Sequence, residues 1–297
     1  MLVCRTQDEG AIEAAARCCR FAPFHSCPAP RARRYPTDTT DAQWRMIDPL
    51  LPDPAFINGA GGRPEAHCRR AIVDAIFYVV DNGIKWRALP ADFPPYSTVF
   101  KYFTRWEAAG STELILDTLR IRVRLAEVRV AAPSAAIIDS ASVRGAETVG
   151  ADTRGYDAGK KVNGRKRHIA VDATGLLLCV IVTGASVQDR DRARPLLEML
   201  AKSCRRVQLV WADGGYAGKL VIWAKETLNL ALTIVKRSDD TTGFTVLPRR
   251  WVVERTLAWI ARHRRCVRDY ERLPAHHEAM VRWTMIRITS KRLGKQV

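Results

Sequence analysis

Three carboxylate residues stand at positions where a chain could use them for chemistry. Asp139 ends the run AAIID and Asp213 ends LVWAD, so each follows the pattern of a buried strand. Glu254 lies in WVVERTLAWI, a segment with helical spacing. An unpaired carboxylate at the end of a buried strand is costly to desolvate, so a cation or hydrogen-bond donors must compensate it.

A divalent metal ion would supply that compensation. Carboxylate oxygens suit Mg²⁺ or Mn²⁺, and two ions roughly 3.5–4 Å apart can activate a water and stabilise the leaving oxygen of a phosphodiester. For a single strand-end Asp, capping of the following turn is the preferred explanation. The three residues together, with Glu254 among arginines, instead predict a two-ion site in which Asp139, Asp213 and Glu254 are both catalytic and metal-binding.

Other carboxylates have local explanations. Asp172 falls at a hairpin turn, and Asp189 and Asp191 precede a helix that they can cap. Asp239 and Asp240 fall in a polar loop. None of these follows a long apolar run as Asp139 and Asp213 do.

The charge of the chain indicates a polyanionic partner. The formal net charge is +17 over 297 residues, and such a field attracts phosphate backbones. The longest apolar stretch, 176–182, is far shorter than the roughly 20 residues of a transmembrane helix. Nucleic acid is therefore preferred over a membrane, and a cytoplasmic location is expected.

Basic residues cluster where DNA would pass. One cluster precedes a predicted hairpin, a second flanks Glu254, and two more cations lie on an N-terminal helix. The predicted DNA-binding residues are Lys160, Lys161, Arg165, Lys166, Arg167 and His168 in the first cluster, Arg249, Arg250, Arg255 and Arg262 in the second, and Lys101 and Arg105 on the helix.

The first half of the chain has helical patterning. Helices are predicted over 40–51 with Thr40 as cap, over 65–80 ending at Asn82-Gly83, over 97–110 with Ser97 as cap, and over 112–128. Three short helices, the third of them basic, are typical of a helix-turn-helix arrangement. An ordinary helical bundle fits the spacing equally well.

From residue 135 onward, strands alternate with helices. Strands are predicted over 135–143, 167–172, 176–183, 207–212 and 232–236, with helices over 190–203, 218–228 and 251–262. A hairpin followed by β-α-β units predicts an α/β fold with a mixed sheet and helices on its faces.

The cysteines do not predict a disulfide framework. Cys68, Cys179, Cys204 and Cys266 are scattered singly and are interpreted as free thiols. The cysteines of the first 27 residues match no CxxC zinc pattern. That segment is interpreted as a leader that contributes little to the fold.

The sequence resembles the IS5-group insertion-sequence transposases of the DDE superfamily from about Arg34 to Leu293. The blocks that carry the resemblance are RRYPTDTTDAQW, GIKWRALPADFPP, AAIIDSASV, GYDAGKKVNGRKRHIAVD, LVWADGGYAGKL and LPRRWVVERTLAWIARHRR, in the family's order. Arg250 and Glu254 match the family's R-x-x-x-E arrangement. Related IS4-type enzymes have a Tyr and a Lys where this chain has Leu247 and Ala261, so those roles are not carried over.

The resemblance implies a domain organisation and a reaction. It implies a poorly structured leader over 1–37, a helical DNA-binding domain over 38–130 and a ribonuclease-H-like catalytic domain over 131–297. It also implies that Asp139, Asp213 and Glu254 form a DDE triad that uses two Mg²⁺ or Mn²⁺ ions to cleave element ends and join them to target DNA. The implied partners are double-stranded terminal inverted repeats, target DNA and further copies of the chain, in a homodimer or higher oligomer, at synapsis. The implied location is the bacterial cytoplasm, in association with the nucleoid. An inactive, DNA-binding transposase and a nuclease without strand transfer remain alternatives.

Overall fold

The chain forms a mixed α/β structure. In this computed structural model the described residues are 31–57, 59, 61, 64–235 and 250–294. The strands are β1 (Ala135–Arg144), β2 (Gly155–Asp157), β3 (Val162–Asp172), β4 (Leu177–Gly184), β5 (Leu209–Ala212) and β6 (Ala231–Ile234). The α-helices are α1 (Asp41–Ile47), α2 (Arg69–Asn82), α3 (Tyr96–Ala108), α4 (Ser111–Ala126), α5 (Asp189–Ser203), α6 (Lys219–Leu228), α7 (Arg250–Ala261), α8 (Arg264–Val267) and α9 (Pro274–Leu293).

The six strands form one mixed sheet. Strand β3 pairs antiparallel with β1, β2 and β4, whereas β1 pairs parallel with β5 and β5 parallel with β6. Three antiparallel strands thus continue into a parallel half. This arrangement confirms the predicted mixed sheet and is consistent with the ribonuclease-H-like domain that the resemblance implies.

Hydrophobic side chains cover both faces of the sheet. On β1 they alternate, because successive side chains point to opposite faces. Ile137 belongs to the larger cluster, which includes residues of α1 to α4 and α7 to α9. Ala136 and Ile138 belong to the second cluster, which packs under α5 and α6. Asp139 therefore lies on the same face as Ile137, the face that α7 covers.

The beginning and end of the N-terminal helices follow local chemistry. Thr40 caps α1 as predicted, and the structure shows a capping box in which Thr40 and Gln43 exchange hydrogen bonds. Gly83 ends α2 with φ 68°, and a Cβ there would stand 2.8 Å from the Cβ of Arg264. The prediction that Ser97 caps α3 is wrong, because α3 begins at Tyr96 after Pro95 and no side chain caps it.

Helix α9 was not predicted from the sequence, although it is the longest helix among the described residues. It packs against α2, α4 and β4, and its side chains are buried on nearly every side, from Ala279 to Leu293. The helices that precede the sheet in sequence therefore share one continuous core with one face of the sheet.

Two expectations for the N-terminal part need correction. Residues 31–37, assigned to the leader, are held in place: Arg31 pairs with Asp92 at 3.1 Å, and Tyr35 stacks on Phe93. Cys68, interpreted as a free thiol, is disulfide-bonded. Cys179, Cys204 and Cys266 are free and buried, as predicted. The cysteines of the first 27 residues lie outside the described residues, and none of the described helices is both long and apolar enough to span a membrane.

Candidate active site

Asp139, within β1, and Asp213, directly after β5, have equivalent register positions relative to two neighbouring parallel strands. Ile137 of β1 pairs with Trp211 of β5, and each aspartate follows its paired residue by two positions. Because parallel strands advance by the same rise per residue, this register places both carboxylates side by side. They are close enough for the charge of Asp213 to act on the carboxyl group of Asp139.

Each aspartate also has a local hydrogen bond. Asp139 Oδ1 accepts the backbone N–H of Ser140 at 2.7 Å. Asp213 Oδ1 accepts the backbone N–H of Gly215 at 2.9 Å and thereby caps the short 3₁₀ turn that follows β5. The capping role considered in the sequence is thus present at Asp213, and it leaves the other carboxylate oxygen for a second partner.

Helix α7 brings Glu254 and Arg250 to these aspartates. It packs on β1 and β3 through a buried face that includes Val253 and Thr256. The Nη2 atom of Arg250 lies 3.2 Å from Glu254 Oε1 and 3.9 Å from Asp213 Oδ2. One guanidinium group therefore stands between two of the three predicted acids.

No three His, Cys, Asp or Glu side chains within the described residues are gathered closely enough to hold a metal ion. Arg250 lies between Asp213 and Glu254, and its guanidinium group supplies positive charge there. The donor chemistry still suits a hard divalent ion, because the site consists of carboxylates. The side chain of Glu254 is 53% exposed and that of Asp213 is 34% exposed. An ion could therefore reach both carboxylates without any unfolding of the chain.

Burial raises the pKa of Asp139 to about 6, and the charge of Asp213 acts in the same direction. The Ser140 N–H, Arg250 and Lys160 oppose this rise in the pKa without cancelling it. Burial also raises the pKa of Tyr216, with added contributions from the charges of Asp139 and Asp213. The negative charge of this site is therefore incompletely compensated at neutral pH, as is typical of a cation-binding site.

The structure adds residues that sequence reasoning did not assign to this region. Lys166 Nζ lies 3.0 Å from Asp189 and 3.5 Å from Asp157, and Asp189 also interacts with the hydroxyl of Ser140, next to Asp139. Asp189 was expected to cap α5, but the N-cap is Gln188 and has no side-chain capping bond. No local signal could have found this group, because its members meet only through the sheet.

Four of the predicted DNA-binding residues are buried, and the prediction for them is wrong. Arg165 binds Asp269 at 2.9 Å, and Arg167 donates to His277 Nε2 at 2.6 Å. The other two are also enclosed, with Lys166 between carboxylates and His168 bonded to a threonine hydroxyl. The reason is that β3 lies inside the sheet, with partner strands on both edges and packed helices on both faces. The four corrected residues are Arg165, Lys166, Arg167 and His168.

The other predicted DNA-binding residues differ in accessibility. Lys101, Lys160, Lys161 and Arg262 are exposed. Arg105 is exposed but pairs with Glu65 at 3.4 Å. The partly exposed residues are Arg250, described above, and Arg255, which stacks between the Trp251 and Trp259 rings and donates to Thr174 O. Arg249 lies outside the described residues.

Comparison with known proteins identifies the family. Residues 131–288 match the family described as "Transposase DDE domain", and residues 39–116 match "Putative transposase of IS4/5 family". The chain is 33% identical over 126 residues to the "Putative transposase for insertion sequence element IS402" of Burkholderia cepacia, covering 40% of this chain and 59% of that protein. It is 32% identical over 105 residues to the "Insertion element IS402 uncharacterized 16.2 kDa protein" of the same organism, covering 33% and 70% respectively. Because the transposase DDE domain match covers more than half of the chain, this protein belongs to the insertion-sequence DDE transposases of the IS4/5 type.

Proposed function

We propose that this protein cleaves the ends of an insertion element and joins them to target DNA, with Asp139, Asp213 and Glu254 as its catalytic acids. The observation that carries the proposal is the register of β1 and β5, which sets Asp139 and Asp213 side by side below the helix that bears Glu254. Family membership supplies the reaction class. The chain spans only 59% of the length of the first IS402 relative, so the activity of the whole protein is part of this proposal.

The same three carboxylates would hold the divalent ions, Mg²⁺ or Mn²⁺, two in number by analogy with other phosphoryl-transfer sites. When bound, such ions polarise an attacking water and stabilise the departing 3′ oxygen. The residues of the chain position these acids. Ser140 N–H and Gly215 N–H each fix one oxygen of an aspartate, and Thr256 anchors α7 by donating to Gly175 O at 2.7 Å.

Arg250 would act on the substrate as well as on the acids. Its guanidinium group lies between Asp213 and Glu254, and phosphate competes well for guanidinium because the two groups pair in a bidentate way. The exposed cations Lys160 and Lys161 lie on the approach to Asp139 and would bind the DNA backbone. Lys101 on α3 would contribute in the same way if helices α1 to α4 bind DNA.

We also infer the partners and the place of action. The substrates would be duplex terminal repeats and target DNA, and pairing of two ends requires at least two copies of the chain at synapsis. A reaction on chromosomal and element DNA places the protein in the bacterial cytoplasm.

The test is a cleavage assay with a duplex that carries the terminal repeat of the element, in Mg²⁺ or Mn²⁺. Wild-type protein should cut at the repeat boundary, and Asp139→Asn and Asp213→Asn should each lower the rate by about 1,000-fold or more, as for acids that act as a unit. Asp191→Asn is the matched control, because Asp191 is an exposed acid in the first turn of α5. DNA binding should be unchanged in all three variants.

Three results would redirect the proposal. Binding without metal-dependent cleavage would indicate an inactive transposase that only binds DNA. Cleavage without joined products, when target DNA is supplied, would indicate a nuclease. Equal rates for wild type and Asp213→Asn would remove the triad from the mechanism.

A further inference from the structure

A groove of about 770 Å³ separates the N-terminal helices from the C-terminal part of the chain. One wall consists of residues 85–87 and Phe100 of α3, and the other of residues 146–148 after β1 and the segment between α8 and α9. Arg268 belongs to this groove and to a second one of about 360 Å³, which Arg144, Tyr156 and Lys161 line. We refer to these two grooves, which share Arg268, together as the basic groove.

The basic groove has a strong excess of positive charge. Among its described lining residues, Glu147 is the one exposed acid, because Glu271 is buried and bound by Arg265 at 2.6 Å. A concave surface with this imbalance focuses a positive field and attracts polyanions. Six exposed cations line it, namely Lys85, Arg87, Arg144, Lys161, Arg268 and Arg272.

Aromatic rings lie among these cations. The Tyr156 side chain on β2 is 55% exposed, and Trp86 and Tyr270 are partly exposed in the larger groove. A duplex presents sugars and phosphates to such a surface and keeps its bases stacked inside. A single strand can instead place its bases on the rings while its phosphates meet the cations.

The basic groove adjoins, through Lys161 and its neighbour Lys160, the strand that carries Asp139. Lys161 lines the smaller part, and the adjacent Lys160 reaches the carbonyl oxygen of Ser140 with an Nζ–O distance of 3.4 Å. Ser140 follows Asp139 directly. A strand that leaves the site at Asp139 would therefore enter the basic groove past these two lysines.

We infer that the basic groove binds a single DNA strand that leads away from the scissile phosphate. The assignment of this strand to the reaction rests on the proposed function, whereas strand binding itself can be measured without cleavage. None of Lys85, Arg87, Trp86, Arg144, Tyr156 or Arg272 belongs to the catalytic triad.

The first experiment measures the binding of a fluorescent oligothymidine of about 20 nucleotides by full-length protein in EDTA, as a function of salt. The variant is Lys85→Ala/Arg144→Ala/Arg272→Ala. Its affinity should fall by about tenfold or more, and the slope of log K against log salt should fall by about 2, since each single-strand phosphate contact contributes about 0.7. The matched control is Lys202→Ala/Arg205→Ala/Arg206→Ala, which removes the same charge from exposed positions at the end of α5 and just beyond it and should leave the slope nearly unchanged.

The second experiment separates a single strand from a duplex. Tyr156→Ala should weaken oligothymidine binding by about five- to tenfold, because one stacking platform is lost, and should change the binding of a random duplex of the same length by less than twofold. Circular dichroism of each variant checks folding, and the Tyr156→Phe variant, which keeps the ring, should bind as the wild type does.

Two outcomes would overturn the inference. One is a salt slope for the groove triple variant equal to that of the control triple variant. The other is a loss of duplex binding alone, with no effect of Tyr156→Ala on oligothymidine. Metal-dependent cleavage by wild type alongside either result would leave the proposed function intact. Loss of strand binding by the groove variants, with no cleavage by wild type, would support strand binding in the basic groove and refute the proposed function, together with the place of that strand in the reaction.

Discussion

The chain contains two clusters of acidic and basic side chains that differ in burial. One, the buried ion network, consists of Arg165, Arg167, Asp269 and His277, all nearly or completely inaccessible. The other, the open acid site, consists of Asp139, Asp213, Arg250 and Glu254. The exposed fraction of the side chain is 23% for Arg250, 34% for Asp213 and 53% for Glu254. Similar residue types therefore serve two different purposes, and their surroundings decide which.

In the buried ion network each charge has its partners inside the protein. Asp269 faces Arg165 at 2.9 Å, the backbone N–H of Glu271 at 2.8 Å and His277 Nδ1 at 3.0 Å. Arg167 donates to the opposite ring nitrogen of His277 at 2.6 Å. That nitrogen must accept, so His277 is neutral with its proton on Nδ1. This network connects strand β3 to α9, and its charged groups are already paired, so none of them is available to bind a ligand.

In the open acid site the balance is incomplete. Three carboxylates share Arg250, with Lys160 acting from a distance on Asp139. The excess of negative charge is a property that a structural cluster avoids and that a cation-binding site requires. The comparison therefore predicts that mutations in the buried ion network change stability and that mutations in the open acid site change chemistry.

The largest expected effect on stability is that of Asp269→Ala. It would leave Arg165 buried without its carboxylate, and breaking a buried pair in this way costs about 3–5 kcal/mol. Urea denaturation would measure the loss. Asp191→Ala, at an exposed acid, should change the free energy of unfolding by less than about 0.5 kcal/mol, and an equally small effect of Asp269→Ala would contradict the structural role of the buried ion network.

The next largest effect is a loss of stability at acidic pH, caused by protonation of His277. Burial lowers its pKa from 6.5 to about 4 in the folded chain, so the unfolded chain binds the proton first as pH falls. The contribution of neutral His277 to the free energy of unfolding is fully present above about pH 6.5 and is lost as pH falls toward 4. It amounts to roughly 3 kcal/mol.

The measurement for His277 is urea denaturation at a series of pH values between these limits. His277→Gln keeps a neutral donor and acceptor at this position but cannot titrate, so its stability should vary less with pH than that of wild type. Identical pH profiles for the two proteins would show that another group dominates the acid dependence.

The open acid site should respond in the opposite direction. The pKa of Asp139 is raised from 3.8 to about 6. The protonated carboxyl group of Asp139 therefore stabilises the folded chain below about pH 3.8, and this stabilisation is lost as pH rises through 6. Asp139→Asn should therefore stabilise the metal-free protein at pH 7, by about 1–2 kcal/mol after allowance for solvent screening. Thermal denaturation in EDTA would detect the gain. Addition of Mg²⁺ should stabilise wild type more than the variant, and a destabilised Asp139→Asn protein in EDTA would contradict this view of the site.

The smallest expected effect is that of Arg250→Ala. Its partners are partly exposed, so the loss of stability should be below about 1 kcal/mol and should shrink further at high salt. Arg165→Ala is the matched comparison, because the same residue type is removed from the buried ion network, where the cost should be several-fold larger. Equal losses for the two arginine variants would remove the distinction between the clusters.

The sequence predicted the parts of the fold that depend on local patterns. The cap at Thr40, the end of α2 at Gly83 and the hairpin turn at Asp172 were all identified correctly, because each depends on residues within a few positions of one another. Helix α9 was missed because it is buried on nearly every side and so lacks the amphipathic pattern that marks a surface helix.

The second half of the basic run at 160–168 shows where sequence reasoning about charge fails. Five cations in a short segment are typical of a solvated, DNA-facing surface, yet the structure pairs Arg165 and Arg167 with side chains about a hundred positions away. No residue close to this run in the sequence indicates that Asp269 and His277 are its partners. Conversely, apart from Lys161, the exposed cations of the basic groove had not been predicted to bind DNA, and the fold brings them together from separate parts of the chain.

The sequence by itself determined which residue types follow each strand and helix, and so named Asp139, Asp213 and Glu254 and the family that uses them. Those properties are local, since alternation and capping act over a few residues. Only the tertiary structure decided which charges are buried, which carboxylates are adjacent and that Arg250 lies between two of them. Burial and charge pairing depend on long-range strand register and helix packing, and these bring together residues that no local pattern connects.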